Sequence, residues 1–450
     1  MIGQILAIAK NTFLESVRQP IYFVLLLCGG LLQAFNTLMS AYSLGYTDTS
    51  EVSGDNKLLL DLGLATVFAV STLLAALIAT AVLSKEIENK TALTVISKPV
   101  GRPIFILGKF LGATGAIVLA TIVLLVYFHL AIRHGVMSTA RDTIDGPVVL
   151  FSFLAIGLGV GVGIWCNFFY GWVFSSTAAF VMSPGLVLGW IGTMFVDDQW
   201  NMQSVSEDWK PQIMLASMCV LLAMPVLTAI AVAASTRLGQ VMTIVVCAGT
   251  FVMGLLSNHL LGRFAFSNEV MATVTQVEVI NDQDNDFADA GDTYALTLDG
   301  APKETVVPGM SLYLGPSPNG IEVYVPTHRP FDGDPLDEGD LYESPSPACV
   351  VIAITADPSR VTIANAGGLA IERPPVEGDY IFLEPTTMRP VAWAAWSIVP
   401  NLQFFWLVDA VTQTHAIPPR YLLLITIYTF AHVVALLSLA TILFQDRDVG

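Results

Sequence analysis

The sequence predicts a mainly α-helical polytopic membrane protein with about six to eight transmembrane helices and one inserted extracytoplasmic β-rich domain. Three observations support this class. Of the 450 residues, 54% are hydrophobic and only 13% are charged, whereas soluble globular domains average about 25% charged residues. Apolar runs long enough to cross a bilayer recur along most of the chain. Segment 264–390 departs from this pattern, because it holds 21 of the 37 acidic residues and only 5 of the 20 basic ones.

Residues 1–19 predict an amphipathic helix that lies along the inner membrane interface. Apolar residues recur there at helical spacing, and polar residues that include Lys10, Glu15 and Arg18 lie between them. Pro20 then marks the turn into the first span. The alternative is that residues 1–19 simply extend the first span.

Eight apolar segments approach the roughly 20 residues that a helix needs to cross about 30 Å of hydrocarbon. Seven lie in the predicted membrane domain 20–262 and one lies in 391–450. They are 21–43, 60–84, 107–131, 148–168, 172–196, 213–235, 239–261 and 420–444. The segments 148–168 and 172–196 are also compatible with one kinked pair or a re-entrant hairpin. Lys109 lies near a span end, where a lysine reaches water or headgroups.

Small residues are concentrated in the fourth of these segments. Gly157, Gly159, Gly161 and Gly163 alternate along it. They favour either close approach of a neighbouring helix or a lipid-facing surface, and the spacing alone does not separate the two.

Lysine and arginine residues near the span ends predict the orientation, because they accumulate on the cytoplasmic side. With the N-terminus inside, the inner loops carry more of them than the short outer loops. The inner set is Lys10, Arg18, Lys85, Lys90, Lys98, Arg102, Lys109, Arg237 and Arg447, and the outer set is Lys57, Arg133, Arg141 and Lys210. Eight spans then place both termini in the cytoplasm and segment 263–390 outside.

Segment 263–390 predicts a small β-barrel or β-sandwich. Seven short alternating runs are separated by clusters of Gly, Pro, Asn and Asp. These runs are 271–280, 294–298, 311–314, 321–326, 350–355, 361–364 and 380–383. The acidity of the segment argues against nucleic acid as a partner. Cys349 is its only cysteine, so it cannot hold an internal disulfide.

An acidic motif at the start of this domain resembles half of a calcium-binding loop. Asp282, Asp284 and Asp286 have the required spacing, but Phe287 stands where the turn glycine is needed and no glutamate follows at the twelfth position. A solvated acidic turn is the favoured interpretation, and we predict no metal site. The chain also has no G-x-x-x-x-G-K-[ST] phosphate loop. We therefore predict neither a catalytic centre nor a bound cofactor, and we do not expect an enzyme.

Segment 391–419 is dense in aromatic residues and is interrupted by Pro400. Tryptophan accumulates at membrane–water interfaces, so we expect interfacial helices here rather than a ninth span. The domain 391–450 then closes with the last transmembrane helix.

The predicted inner loop 85–104 is charged and compact. Glu86, Glu88 and Lys90 precede a short apolar stretch, and a turn bracketed by Pro99 and Pro103 follows. Such a loop is either a docking surface for a soluble partner or a solvated connector.

Four places in the sequence together resemble the type-2 permeases of ABC transporters, the membrane subunits of many bacterial exporters. They are Ala9-Lys10-Asn11-Thr12-Phe13-Leu14-Glu15-Ser16; Glu86-Ile87-Glu88-Asn89-Lys90-Thr91 with Ser97-Lys98-Pro99-Val100-Gly101-Arg102 and Leu107-Gly108-Lys109; Ala231-Val232-Ala233-Ala234-Ser235-Thr236-Arg237; and Pro400-Asn401-Leu402-Gln403-Phe404 with Asp409-Ala410 and Phe444-Gln445-Asp446-Arg447. The resemblance covers most of the membrane part. Two features depart from the family pattern, namely eight spans instead of six and the insert at 264–390.

The resemblance implies a function and a set of contacts. Residues 1–19 would be the elbow helix, and 85–104 would be the coupling loop that sits in a groove of a separate ABC ATPase subunit. The residues implied to touch that ATPase are Glu86, Glu88, Thr91, Lys98 and Arg102. Two copies, or one copy with a related permease, would form the path across the cytoplasmic (inner) membrane of a bacterium. The transported substrate and the direction of transport are not implied.

A second hypothesis is a membrane-anchored binding or assembly protein, whose β-domain recognises a periplasmic partner while the helices serve as a scaffold. An ion-coupled carrier is disfavoured, because such carriers usually place carboxylates near the middle of the bilayer, and these spans are nearly free of charge.

Overall fold

We describe the fold from a computed structural model of the chain. The structure describes residues 2–40, 51–84, 101–137, 144–267, 269–282, 285–316, 330–355, 360–369, 373–384, 387–412 and 417–445. The chain divides into two compact units. The helical unit comprises Met1–Leu255 and Leu402–Gly450, and the barrel unit comprises Leu256–Asn401.

Nine of the helices that we label lie in the helical unit. They are α1 (Ile2–Arg18), α2 (Pro20–Met39), α3 (Glu51–Ala79), α4 (Arg102–His134), α5 (Gly146–Tyr170), α6 (Phe174–Thr193), α7 (Pro211–Ser235), α8 (Gln240–Leu255) and α10 (Pro419–Gln445), while α9 (Pro390–Ile398) belongs to the barrel unit. Short helical turns at Val205–Asp208, Leu402–Phe405 and Val408–Thr412 complete the helical unit, and α3 continues into a π-helical turn at Thr80–Ser84.

Within the described residues, seven helices are long and apolar enough to cross a membrane. These are α2, Lys57–Val82 of α3, α4, α5, α6, α7 and α10. The structure therefore confirms a mainly helical chain with several candidate spans and a separate antiparallel sheet region.

The predicted span 239–261 is not a continuous helix. Helix α8 ends at Leu255, and the chain continues as Asn258–Gly262 and Arg263–Ala265, so an eighth candidate exists only if the pieces form one broken span. Sixteen residues of α8 reach only about 24 Å. The side chain of Asn258 accepts a hydrogen bond from Asn401. A polar residue with its own partner thus occupies the stretch where the sequence predicts apolar continuation.

Helix α1 is separate from the first span. It ends at Arg18, and Gln19 takes an extended backbone conformation before Pro20 starts α2. Proline at the first helical position lacks only an N–H that would be unpaired there in any case. The structure therefore separates α1 from α2 instead of joining them into one longer helix.

Helix α4 lies at the centre of the helical unit and contacts α1, α2, α3, α6, α7 and α10. Its middle carries small or aliphatic residues such as Ala116, Ala120 and Leu124, all of them fully buried. The hydroxyl of Tyr22 on α2 donates to the carbonyl of Ala116 at 3.0 Å. An interior position on every side explains why this helix is apolar all round.

Helices α5 and α6 form a hairpin, and the glycines of α5 divide between its two sides. A Cβ built on Gly159 would lie 2.6 Å from Met182 Cβ, and one on Gly163 would lie 3.0 Å from Ala178 Cβ, both on α6. A Cβ built on Gly157 or Gly161 would have no neighbour within 4 Å. Gly159 and Gly163 therefore allow the close approach of α6, whereas Gly157 and Gly161 lie on an exposed face of α5.

The barrel unit is built on a six-stranded antiparallel sheet. Its strands are β2 (Val270–Asn281), β3 (Thr293–Leu298), β4 (Tyr313–Gly315), β5 (Ala348–Ile354), β6 (Arg360–Ala366) and β7 (Tyr380–Phe382), in the order β4-β7-β2-β3-β6-β5. Strands β1 (Phe266–Ser267) and β8 (Thr387–Met388) pair separately. The predicted run 321–326 lies outside the described residues.

The segment 309–315 closes this sheet into a barrel. Its first part bonds to β5, with Gly309 N–H to Val351 O at 2.8 Å and Leu312 N–H to Cys349 O at 2.8 Å. Its last part is β4, which pairs with β7. Because the segment that contains β4, at one end of the strand order, also bonds to β5 at the other end, the sheet edge is removed.

Side chains fill the barrel. The buried cluster draws at least one residue from each strand or segment of the wall, among them Val274, Leu296, Leu312, Val351, Ile363 and Ile381. Cys349 lies in the same cluster, and burial raises the pKa of its thiol to about 12. On the outside, the short helix Glu338–Tyr342 packs through Leu341 against β6. A filled interior means that recognition by this unit uses its outer surface.

Candidate functional site

The first turns of α4 form a junction of three helices, and they follow directly on the predicted coupling loop. Helix α1 approaches α4 at glycines. A Cβ built on Gly112 would lie 2.4 Å from the carbonyl oxygen of Ala9, and one on Gly108 would lie 2.8 Å from Ile8 Cβ. Such backbone contact is possible only with glycine at these two positions. The elbow-like helix is therefore held rigidly against the start of α4.

The end of the last helix meets the same turns. The guanidinium of Arg102 donates to the carbonyls of Gln445 and Phe444. The rings of Phe105 and Phe444 stack with centroids 5.8 Å apart. A cation at a helix C-terminus satisfies carbonyls that have no intrahelical partner and complements the helix dipole. Arg102 thus joins α4 to α10.

The sequence predicts that Lys109 reaches water or headgroups. In the structure, Lys109 lies buried inside this junction. Its side chain is only 4% exposed, and its ammonium lies 4.0 Å from a carboxylate oxygen of Glu15 on α1. The same ammonium is 5.8 Å from the centre of the Phe105 ring. Burial against α1, which the spacing of apolar residues along α4 does not reveal, is the reason that the expectation was wrong.

Of the five residues that the resemblance assigns to an ATPase contact, Arg102 is described. Its guanidinium is occupied by the end of α10, and its side chain is half-buried. Glu86, Glu88, Thr91 and Lys98 lie outside the described residues. Residues 85–100 immediately precede Gly101 and Arg102 in the sequence, and Arg102 contacts the end of α10.

The opposite end of α4 carries a dense polar network around Arg133. Its guanidinium pairs with Asp145, Nε to Oδ2 at 3.4 Å, and with Asp208. It also donates to the backbone carbonyls of Thr193 and Val196, the latter at 2.7 Å. Arg133 therefore connects the ends of four segments: α4, α5, α6 and the turn Val205–Asp208.

Both carboxylates in this network have further partners. Asp145 caps α5 by accepting the backbone N–H of Val148 at 3.0 Å, and Asp208 accepts from the side chain of Gln203. A cap of this kind is worth about 1 kcal/mol. Multiple partners allow a buried charge group to be stable where little water reaches it.

The spacing of the two charged ends agrees with a membrane span. Lys109 and Arg133 are 24 positions apart on α4, which corresponds to about 36 Å of helix, slightly more than the roughly 30 Å of a bilayer core.

Between them, one turn before Arg133, His129 lies 3.2 Å from the hydroxyl of Ser217. A histidine with a hydroxyl partner serves packing and needs no catalytic explanation.

In the barrel unit, the acidic motif forms a turn with three converging carboxylates. Oxygens of Asp282, Asp286 and Asp292 lie within 4.8 Å of one another. Asp282 accepts hydrogen bonds from the Phe287 N–H at 2.9 Å and from the Tyr294 hydroxyl at 2.6 Å. Asp284 lies outside the described residues. These hydrogen bonds stabilise the loop itself.

Asp292 belongs to this group although the motif Asp282-x-Asp284-x-Asp286 does not include it, because it follows Asp286 by six residues. Burial raises the pKa of its carboxyl above the ordinary aspartate value, and neighbouring carboxylates, Asp282 first, raise it further. The backbone N–H of Asp289, 2.8 Å away, opposes this shift.

Comparison of the chain with family models, with curated protein sequences and with solved structures found no match in any of the three.

Proposed function

We propose that this chain is the membrane-spanning permease subunit of an ATP-driven, ABC-type exporter, and that a separate ATPase subunit supplies the energy. One observation carries the proposal. The turns of α4 that follow the loop 85–100 are packed against both α1 and the end of α10. A push from an ATPase on that loop would therefore move three helices as one body.

The proposal includes a topology. We take α2 to α7, the broken pair of α8 with Asn258–Ala265, and α10 as the spans of a multi-pass protein in the bacterial cytoplasmic membrane. The barrel unit then lies outside and both termini lie inside. Counting α8 as a non-spanning helix would reverse the side of the barrel unit and of the C-terminus, so the break after Leu255 decides the topology.

Protease added to right-side-out spheroplasts tests this arrangement. We expect cleavage within the barrel unit while 85–104 stays intact. Cleavage at 85–104 with an intact barrel unit would invert the topology and remove the basis for an ATPase contact.

Purification from native membranes tests the energy source. An ABC-type ATPase, identified by its sequence and by ATP hydrolysis in the purified complex, should accompany the tagged chain. Glu86→Lys combined with Lys98→Glu should abolish its recovery, and Arg102→Gln should weaken coupling by releasing α10 from α4. Lys210→Glu, on the predicted outer side, is the control and should leave recovery unchanged. An ATPase that never accompanies the chain, or that binds the double variant equally well, would exclude this function.

The second candidate remains a membrane-anchored protein whose barrel recognises a periplasmic partner. The observation that favours it is the closed, filled barrel, which is a complete unit with its own core. Deletion of 264–390 would abolish either function, so the ATPase experiment is the one that separates them.

A further inference from the structure

The helix α9 of the barrel unit exposes its apolar residues, which is the reverse of an ordinary surface helix. None of its nine residues is buried and none is charged. Val391 is 85% exposed and Ile398 is 78% exposed, and Trp393 is exposed beside them. A surface helix of a water-soluble domain turns its apolar face inward and its polar face to solvent. Leaving this face in water is unfavourable by about 25 cal/mol for each Å².

The face continues onto the segment that α9 packs against. The ring of Trp396 lies against Phe266, with centroids 6.0 Å apart, and the N–H of Arg389 donates to the carbonyl of Ala265 at 2.8 Å. Phe264 and Met388, on the two sides of this junction, are about half exposed. We call Phe264, Met388, Val391, Trp393 and Ile398 the apolar patch.

Two arginines border the apolar patch. Arg263 lies over the ring of Phe264 at 4.7 Å, and Arg389 immediately precedes α9. Both are exposed, and neither forms an ion pair with a residue that the structure describes. By contrast, Arg360 pairs with Glu278 and Arg373 pairs with Asp379 in the same unit.

The barrel unit is strongly acidic, so the position of these two exposed arginines indicates where the unit can approach an anionic surface. A domain this acidic is repelled by an anionic surface within the screening distance of about 8 Å. Two exposed cations beside an apolar and tryptophan-bearing face provide local attraction to phosphate groups. In a two-fold contact the patch would meet the same patch of a second copy, so the two arginines would face their own copies and like charges would oppose the contact.

We propose that the apolar patch docks into the headgroup region of the bilayer, where Arg263 and Arg389 bind anionic lipid phosphates and hold the barrel unit at the membrane surface. The inference rests on the membrane insertion included in the proposed function, and it is independent of the ATPase partner.

The test uses the full chain in lipid nanodiscs. Cys28 is the exposed cysteine, so Cys28→Ser removes the background, and Val391→Cys carries a fluorescent label. Nitroxide-bearing lipids should quench the label at position 391. The matched control is Leu336→Cys, which is also highly exposed but lies in the turn before the short helix that packs on β6, and its label should stay unquenched.

The arginine contribution is measured in the same discs. With about a third of phosphatidylglycerol, the docked-to-undocked ratio should fall roughly fivefold for each of Arg263→Gln and Arg389→Gln. In phosphatidylcholine discs these variants should match the parent, and Arg360→Gln should have no effect in either lipid. An unquenched label at position 391 would mean that another protein or nothing covers the patch, and would overturn the proposal. Quenching that is equal in both lipid compositions and in both arginine variants would overturn the phosphate contact. Failure of the chain to insert would show separately, as loss of reconstitution.

Discussion

The two units of the molecule treat charge in opposite ways. In the helical unit, Arg133 lies between Asp145 and Asp208, and Lys109 lies beside Glu15. In the barrel unit, the carboxylates of Asp282, Asp286 and Asp292 converge although all three carry the same sign. Opposite charges must be paired where water is scarce. In the acidic turn Asp286 is exposed and Asp282 is partly exposed, so water and salt screen part of their repulsion with the buried Asp292. The difference indicates that the two units are built for different surroundings.

The charge pairs of the helical unit also differ between the two ends of α4. Arg133 has two carboxylates and two carbonyls around it, and it fixes four segments in one arrangement. Around Lys109, most of the contact comes from backbone approach at Gly108 and Gly112, with one carboxylate that is 43% exposed. We infer that the Arg133 end is a fixed anchor and that the end next to the loop 85–100 transmits movement.

Removing the charge of Arg133 is the change that we expect to have the largest effect. Arg133→Met keeps the volume but leaves Asp145 and Asp208 as uncompensated charges, which costs about 3–5 kcal/mol for a buried pair. The measurement is thermal unfolding of the purified chain in detergent, where the melting temperature should fall by several degrees.

Two substitutions of the same type calibrate this result. Arg360→Met breaks an exposed pair in the barrel unit and should cost less than about 1 kcal/mol. Lys109→Met should also stay within about 1 kcal/mol, because Glu15 is exposed enough to be hydrated after its partner is lost. If all three substitutions cost the same, the distinction between the two units and between the two ends of α4 is unfounded.

Side-chain bulk at Gly112 is expected to have the next largest effect. Gly112→Val must displace the backbone of α1 at Ala9, and overpacking of this kind costs about 1–3 kcal/mol. Gly157→Val is the matched control, since it adds the same side chain to a helix glycine with no neighbour within 4 Å. The difference in melting temperature between the two variants removes the helix propensity of valine. Equal melting temperatures would show that α1 is not held at this contact.

Local patterns predict much of this fold, and long-range pairing explains what they miss. The apolar segments of the sequence overlap all eight proposed spans, although they do not show the break after Leu255, and the alternating runs overlap strands β2 to β7. Barrel closure is invisible in these patterns, because the segment 309–315 changes partner from β5 to β7 within a few residues. The Arg133 network joins positions 133, 145 and 208, and no local spacing signals that they meet. Asn258, which follows the break after Leu255, accepts a hydrogen bond from Asn401 across 143 positions of sequence, so no local pattern reveals that contact either.

The smallest effect that we predict concerns Asp292 and has a defined dependence on pH. Burial and neighbouring carboxylates raise the pKa of Asp292 in the folded protein, so the folded state holds this proton at a pH where the unfolded chain has released it. Stability from this site is therefore greatest at low pH and is lost as the pH rises above the ordinary aspartate range. Asp292→Asn removes the ionisation but keeps an oxygen to accept the Asp289 N–H.

At pH 7 we therefore expect Asp292→Asn to melt about one or two degrees above the parent chain, and the gap should close as the pH falls towards 4, where the parent carboxyl is protonated as well. Asp332→Asn is the control, because it removes one negative charge from an exposed position in the same unit and should change the melting temperature equally little at both pH values. A gap that persists at low pH would assign the gain to asparagine itself, and a variant less stable at pH 7 would mean that the carboxylate of Asp292 strengthens its loop. Either result would contradict the view that burial and neighbouring like charges at Asp292 cost the folded barrel unit a small amount of stability.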